Sequence, residues 1–284
     1  MSKKSIVFAV LLLLLVIAWN VAVYYADRTL QTRRYETVYD SCHKIWSSRG
    51  LYDTKEERNT LTSFGRAFEH GAHGAEVDFS YDAAMDRFIV GHGHPKKGPD
   101  GHFVYTEKEG GLLTLETLFN HLGAGHAFWL DYKNLDDLGV EETQKAIRRL
   151  KAITSDSTLR ERLYIEGSNP LRLSLYTDAG FKTILGIHPL SERNPFSSIV
   201  INGYKMLYAY SNITGIALGY GSIERPVYGE ATREALGPVP VFLFHVPDDK
   251  ALLQRLVNTP SVRALLAGRD VSIDRFCITA CGAL

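Results

Sequence analysis

Cysteine and net charge are what this 284-residue sequence has least of. Its three cysteines are too few for a disulfide framework. Lysine plus arginine and aspartate plus glutamate number 32 each, so the formal net charge is zero, and no long basic run occurs. We therefore expect no nucleic-acid partner. Cys277 and Cys281 are a candidate pair in an oxidising compartment, and Cys42 is expected to be a small buried side chain.

Low-complexity linkers and internal repeats are also absent, which favours a single domain from residue 34 to residue 284. Residues 1–33 are predicted to form an N-terminal membrane anchor and tether. Within 34–284, short apolar runs alternate with amphipathic helical patterns, which is typical of parallel strands joined by crossover helices. A chain of this size fits an α/β fold of the (β/α)₈ TIM-barrel type.

The strand candidates number one more than an eight-stranded barrel holds. The segment 88–92 is the expected extra one, because "SYDAAMD" before it is too short for a crossover helix. We expect this segment to return as the arm of a hairpin. The nine candidates are Val38–His43, Ala75–Ser80, Phe88–His92, Ala127–Tyr132, Leu163–Glu166, Lys182–Gly186, Gly215–Gly219, Val239–His245 and Val262–Ala267.

A long hydrophobic run occupies residues 6–26, interrupted only by Asn20. As a helix it would be roughly 30 Å long, enough to cross a bilayer. An uncleaved signal anchor is the favoured interpretation, with a cleaved signal peptide and a buried core helix as alternatives. Lys3 and Lys4 favour a cytoplasmic N-terminus, which would put the rest outside the cytoplasm, in the periplasm or extracellular space. A tether of about ten residues would hold the domain close to the membrane.

Two candidate strands carry charge on one face. Glu76 and Asp78 point the same way along the first, since side chains alternate between faces. Such a pair alone is more typical of a solvated strand face. Asp131 and Lys133 repeat the pattern in "FWLDYKNL", and inward charges near the carboxyl ends of barrel strands are where barrel enzymes place their chemistry. Three carboxylates favour a hard cation, Mg²⁺ or Ca²⁺.

The order of the motifs resembles the glycerophosphodiester phosphodiesterase family, within the phosphatidylinositol-phospholipase-C-like superfamily. That family opens with H-R-G, here His43-Lys44, followed by P-E-N-T, here Asn59-Thr60. Its G-A-D-x-x-E-x-D matches "GAHGAEVDF", and its E-x-K strand matches "FWLDYKNL". "FIVGHGHP" supplies His92, in a loop that is more like that of the sphingomyelinase D-type phospholipases.

The resemblance implies a metal-dependent hydrolase that cleaves a glycerophosphodiester or a phospholipid-derived phosphodiester, with one divalent cation and a membrane-associated role in lipid metabolism. It leaves open which histidine is the base, whether the product is a cyclic phosphate, and which alcohol leaves. The implied roles are metal binding by Glu76, Asp78 and Asp131, catalysis by His43, His92 and Lys133, and substrate binding by Lys133, Glu166 and His245.

Departures from the family pattern keep other functions open. "SSRG" at Ser47–Gly50 is a rival match to H-R-G, and it would put Ser48 where the first histidine stands. Phe244-His245 replaces the family's usual tryptophan-threonine. The main alternative is an inactive barrel that binds phospholipid head groups or acts as a membrane-anchored scaffold. A glycosidase using Glu166 and Asp131 as paired carboxylates is a weaker one.

Overall fold

The computed structural model describes residues 3–33, 38–93, 96–98, 103–107, 110–267 and 275–280. The strands are β1 (Ile45–Ser48), β2 (Gly74–Asp82), β3 (Arg87–Val90), β4 (Lys96–Lys97), β5 (Phe103–Val104), β6 (Ala127–Tyr132), β7 (Leu163–Gly167), β8 (Lys182–Gly186), β9 (Gly215–Gly219), β10 (Val241–Phe244) and β11 (Val262–Ala267). The helices are α1 (Lys3–Thr32), α2 (Leu61–Glu69), α3 (Leu115–Leu122), α4 (Val140–Ile153), α5 (Ser157–Arg160), α6 (Pro170–Asp178), α7 (Ser197–Ala209), α8 (Glu230–Leu236) and α9 (Lys250–Val257), with a 3₁₀ turn at Leu135–Asp137.

Eight parallel strands close into a barrel. They follow the order β1, β11, β10, β9, β8, β7, β6, β2, and a further parallel pairing of β1 with β2 completes the circle. Helices lie between most consecutive strands, so the predicted TIM barrel is confirmed. The expected extra strand is β3, which pairs antiparallel with β2 through Phe79 and Val90. The prediction of a hairpin arm is therefore confirmed as well.

The first barrel strand differs from the prediction. It runs over Ile45–Ser48, and the predicted segment Val38–His43 forms no strand. Trp46 is fully buried inside the barrel, whereas Asp40 is exposed. The apolar pair at 45–46 can fill both faces of a buried strand, and the polar residues of 39–43 cannot.

Aromatic and small side chains fill the barrel below its carboxyl end. This interior cluster contains Trp46, Trp129, Tyr164 and Phe242, with their rings in edge and tilted contacts. A separate and larger apolar cluster lies between the strands and the helices. The barrel is thus a packed core rather than a pore, and the charged side chains described below lie at its mouth.

α1 has two unlike halves. Residues 4–18 are exposed throughout, and from Trp19 onward one face of the helix is shielded by the barrel. Ala26 and Leu30, four residues apart, are buried. Helical structure continues to Thr32, so much of the predicted tether is part of a packed helix. The proposed domain boundary at residue 34 lies outside the described residues.

The cysteine prediction is wrong. Cys42 is disulfide-bonded, whereas Cys277 is a free, exposed thiol. Cys42 lies near the C-terminal segment, because its carbonyl oxygen accepts a hydrogen bond from the amide of Ala280 at 2.9 Å. Sequence separation favoured the nearer pair, but the fold returns the end of the chain to the start of the barrel. Cys281 lies outside the described residues.

Candidate active site

Three carboxylates converge at the mouth of the barrel. Glu76 and Asp78 project from β2, and Asp131 from β6, where it is the register partner of Asp78. One oxygen from each lies within 4.8 Å of the others. Glu76 and Asp78 are buried, and Asp131 is partly exposed. The alternation of side chains along the two strands therefore predicted three carboxylates that do lie together. They form a group able to hold a cation.

Asp78 is the most heavily bonded member of this cluster. Its Oδ1 lies 2.6 Å from Nζ of Lys133, and its Oδ2 lies 2.8 Å from Nε of Arg49. Asn59 donates to Oδ2 at 2.8 Å and accepts from the backbone amide of Asp78 at 3.1 Å. Burial favours a raised pKa for Asp78, but a hydrogen bond to His92 and the charges of Lys133 and Arg49 outweigh it and hold the pKa well below its usual range.

The other two carboxylates shift in the opposite direction. Burial, followed by the negative charges of Asp78 and Asp131, raises the pKa of Glu76 well above its ordinary value. Burial also raises the pKa of Asp131. Burial alone would lower the pKa of Lys133. The charges of the adjacent carboxylates Asp78 and Asp131 outweigh burial and raise this pKa above its ordinary value, so the ammonium stays charged. Burial thus disfavours the ionised forms of Glu76 and Asp131, and a bound cation would favour them.

The segment after β1 is shaped to support Asp78. Arg49 and Asn59 have φ angles of 62° and 56°, in the left-handed region, and Gly50 has a φ of 85°. A Cβ on Gly50 would lie 2.3 Å from Oγ of Ser63, so only glycine fits there. Thr60 then caps α2 in a capping box with Ser63. Non-glycine residues in this strained backbone region are typical of functional sites.

A cavity of about 410 Å³ opens over the barrel mouth beside these groups. Glu166 lies in its wall and accepts a hydrogen bond from Nε1 of Trp129 at 2.5 Å. Burial, with the charge of Asp131, raises the pKa of Glu166 to about 8. The polar lining includes Ser48, Arg49, Glu76, Asp131, Lys133, Glu166, His188 and His245.

His92 reaches the cluster from the hairpin side. Its Nδ1 lies 3.2 Å from Oδ2 of Asp78, and about half of its side chain is exposed. It lines a neighbouring cavity of about 930 Å³, together with Asn59. Asp78 thus lies between the two cavities, because Arg49 and Lys133 line the first and Asn59 and His92 line the second.

His43 is not brought to the mouth. It precedes β1, and its ring stacks on that of His73, which precedes β2, with centroids 3.9 Å apart. Both rings therefore lie at the amino ends of their strands, five residues and about 16 Å from Ser48 along the chain. This placement contradicts the assignment of His43 to a catalytic pair. Ser48 stands at the mouth instead and donates to Oε2 of Glu76 at 2.8 Å. The match of "SSRG" to H-R-G therefore agrees with the fold.

Sequence reasoning missed two contributors to the site. Arg49 went unrecognised as a partner of Asp78, although the rival "SSRG" motif contains it. His188 was not singled out at all, although it lines the mouth cavity. Its position two residues after the end of β8 was the available signal, since residues just beyond the carboxyl ends of barrel strands line the mouth.

Comparison with known proteins agrees with the fold. No protein-family model and no curated protein matches the chain. A glycerophosphodiester phosphodiesterase from Parabacteroides distasonis is similar in structure, with 18% identity and a TM-score of 0.58 over 81% of this chain and 94% of that one. A glycerophosphodiester phosphodiesterase from Thermotoga maritima has 19% identity and a TM-score of 0.56, over 82% and 96%. The chain thus shares the barrel fold of these phosphoric diester hydrolases.

Proposed function

We propose that this protein is a metal-dependent phosphodiesterase that cleaves a glycerophosphodiester or a phospholipid-derived phosphodiester. The observation that carries the proposal is the convergence of Glu76, Asp78 and Asp131 within 4.8 Å, beside Lys133, at the mouth of the barrel. Structural similarity to glycerophosphodiester phosphodiesterases supports the reaction class. The order of the sequence motifs supports it independently.

The three carboxylates fit a hard divalent cation, Mg²⁺ or Ca²⁺. All the donors are oxygens, which these cations prefer. Burial raises the pKa values of Glu76 and Asp131, and a bound cation would favour their charged forms. When bound, the cation would supply Lewis-acid charge to the non-bridging phosphate oxygens. Lys133, with its charge fixed by two carboxylates, would hold a phosphate oxygen from the side of β6.

His92 is the proposed proton-transfer group. Its Nδ1 is held by the carboxylate of Asp78, which leaves Nε2 to exchange a proton with the substrate. Balanced hydrolysis needs one group to take a proton from the attacking water and one to give a proton to the leaving oxygen. His92 serves one of these steps, and His43 has no part in either. Glu166 and His245 are proposed to contact the substrate from the opposite wall of the cavity.

A non-catalytic barrel is the second candidate function. It is favoured by one observation, the hydroxyl of Ser48 where the resembled family has its first histidine. A serine bonded to Glu76 cannot act as an acid–base group near neutral pH. In this alternative the same cluster would bind a phosphodiester head group without breaking it.

We further propose that α1 is an uncleaved membrane anchor and that the barrel lies outside the cytoplasm. The structure has one helix apolar enough to cross a membrane among the described residues, Lys4–Thr32. The C-terminal half of α1 packs on the barrel and buries Ala26 and Leu30. Cleavage that removed α1 would expose the barrel surface that these residues cover, which supports an uncleaved helix. The disulfide of Cys42 supports an oxidising compartment.

The test is product release from a panel of glycerophosphodiesters, lysophospholipids and sphingomyelin, with Mg²⁺ or Ca²⁺ and with EDTA. Turnover that EDTA abolishes and Asp131→Asn lowers supports the phosphodiesterase. Asp137→Asn, in the exposed turn after β6, is the matched control and should retain wild-type rates. Thermal stabilisation by the same compounds without any product would instead support the binding barrel.

A further inference from the structure

A second cavity, of about 930 Å³, lies beside the carboxylate cluster. It is enclosed between the loop that joins β1 to α2 and the segment that follows β3, and we call it the hairpin cavity. It borders the cluster, because His92 and Asn59 line it and both contact Asp78. A group attached to a phosphate at the cluster can therefore extend into this cavity.

The described lining of the hairpin cavity is cationic. It includes three basic side chains and no carboxylate, the basic ones being Lys55, Arg58 and Lys96. Lys55 and Arg58 belong to one turn of the loop before α2, since the amide of Arg58 donates to the carbonyl of Lys55 at 3.4 Å. Lys96 comes from β4, on the other side of the cavity. Basic groups from two separate segments thus face one space.

The carboxylates of the same segments do not neutralise these cations. Asp82 is buried and accepts from the hydroxyl of Tyr105 at 2.9 Å, and it does not line the cavity. The acidic residues of the neighbouring loops line a different cavity and are Glu56, Glu57 and Glu107. No ion pair joins any of the three cations to a residue in the part of the chain that the structure describes.

Arg58 is held in place without an anionic partner. Its guanidinium carbon lies 5.1 Å from the ring centroid of Tyr52, and its buried Nε has no hydrogen-bond partner among the described residues. The basic groups at the carboxylate cluster differ, since Arg49 and Lys133 contact Asp78 at 2.8 and 2.6 Å. Positive charge that the protein leaves unbalanced in a cavity attracts an anionic ligand.

A phosphate is the anion that fits this lining. The guanidinium group donates in a fork to phosphate oxygens, and lysine adds a compact point charge. A phosphomonoester carries a charge of about −1.5 to −2 at neutral pH, which several cations are needed to balance. The cavity is at the upper end of the range of about 300–1,000 Å³ that is usual for ligand sites. It therefore has room for a phosphate and for the alcohol that carries it.

We propose that the hairpin cavity binds a second phosphate of the substrate through Lys55, Arg58 and Lys96. The substrate is then a phosphodiester in which one of the two alcohols also carries a phosphomonoester, and that alcohol lies on the His92 side of the scissile phosphate. A neutral alcohol, or one with a quaternary ammonium group, would leave the three cations unbalanced. The anion site stands on the cavity alone. Its assignment to the substrate rests on the proposed phosphodiesterase function.

The anion site is tested without turnover, by calorimetric titration of inorganic phosphate into the full-length protein in nonionic detergent and EDTA. Lys55→Gln combined with Lys96→Gln should weaken phosphate binding about tenfold, because two charged donors are lost. Both lysines are exposed, so the fold should be retained. Lys151→Gln combined with Arg255→Gln removes the same charge from the exposed ends of α4 and α9 and should bind phosphate as the wild type does. Equal weakening in both pairs, or weakening in neither, overturns the anion site.

The substrate is tested with two forms of one phosphodiester, glycerophosphoglycerol with and without a phosphate on its second glycerol. The wild-type kcat/KM should be about tenfold higher on the phosphorylated form. The cavity pair should bring this ratio close to one, and the control pair should keep it. A wild-type ratio of one or less, or a ratio that the cavity pair keeps, overturns the second phosphate as part of the substrate. Absence of turnover on every phosphodiester rejects the phosphodiesterase, whereas the phosphate titration does not depend on turnover.

Discussion

The two ends of the barrel use histidine in different ways. At the amino ends, His43 stacks on His73 and His126 stacks on Phe68, with ring centroids 3.9 and 3.7 Å apart. Burial and a neighbouring imidazole lower the pKa of His73. At the carboxyl ends, His92 contacts a carboxylate that is itself held by two cations. Charge and hydrogen bonding around the ring, rather than residue type, separate a packing histidine from a candidate catalyst.

The largest expected effect tests this comparison directly. His92→Ala should lower turnover by about 10² to 10⁴-fold, the usual contribution of a general acid or base. His43→Ala, at the other end of the barrel, should stay within a fewfold of wild type. Steady-state rates on the preferred phosphodiester, with circular dichroism to check folding, measure both. A large loss of turnover in His43→Ala with an intact fold would contradict this comparison and show that His43 takes part in catalysis.

The next effect concerns the cluster itself. Asp131→Asn removes one of three charged ligands and should lower turnover by about 10² to 10³-fold, a loss like that of one transition-state donor. It should also remove the rise in melting temperature with millimolar Mg²⁺ or Ca²⁺, because ligand binding to the native state alone stabilises it. Differential scanning fluorimetry with each cation measures this. A wild-type protein that neither cation stabilises would contradict the metal site.

Much of this arrangement was predictable from alternation along strands. Glu76 and Asp78 are two residues apart and point to the same face of β2. Asp131 and Lys133 are likewise two residues apart, and β2 and β6 are neighbours in the barrel. The boundaries of β6, β8, β9 and β11 also match the predicted segments. Such buried strands are short apolar runs with clear ends, so local composition determines them.

The first strand was not predictable in this way. Both "VYDSCHK" and "IWSSRG" offered a strand end followed by a candidate motif, and a histidine is the stronger chemical signal. The difference lies in tertiary packing, since Trp46 fills the barrel interior against Tyr164 and Phe242. The backbone at Arg49 and Asn59 is left-handed, and both side chains contact Asp78, a long-range contact that local composition does not reveal.

A smaller effect is expected from a residue that acts through Asp78. Asn59→Ala removes the hydrogen bond to Oδ2 and leaves the amide of Asp78 without its acceptor. Loss of a hydrogen bond that orients a metal-binding side chain typically costs about 10 to 100-fold in metal affinity or activity. We expect a weaker apparent affinity for the cation, partly restored at saturating metal. Titration of activity with Mg²⁺ measures it. An unchanged midpoint would show that Asn59 supports the loop alone.

The smallest effect is on stability, at Glu166. Burial raises its pKa from an ordinary 4.5 to about 8, so the folded chain binds a proton that the unfolded chain releases. Stability from this group is therefore present at low pH and is lost as pH rises from about 4.5 to about 8. Glu166→Gln cannot ionise and should remove this slope.

At pH 8 and without metal, Glu166→Gln should therefore be more stable than wild type, while near pH 4 the two should be equally stable. Urea unfolding in EDTA at both pH values measures the difference. Glu69→Gln, an exposed glutamate at the end of α2, is the control and should change stability at neither pH. A parallel pH dependence in Glu166→Gln and wild type would mean that folding does not raise the pKa of Glu166, and that Glu166 is ionised at the mouth at neutral pH.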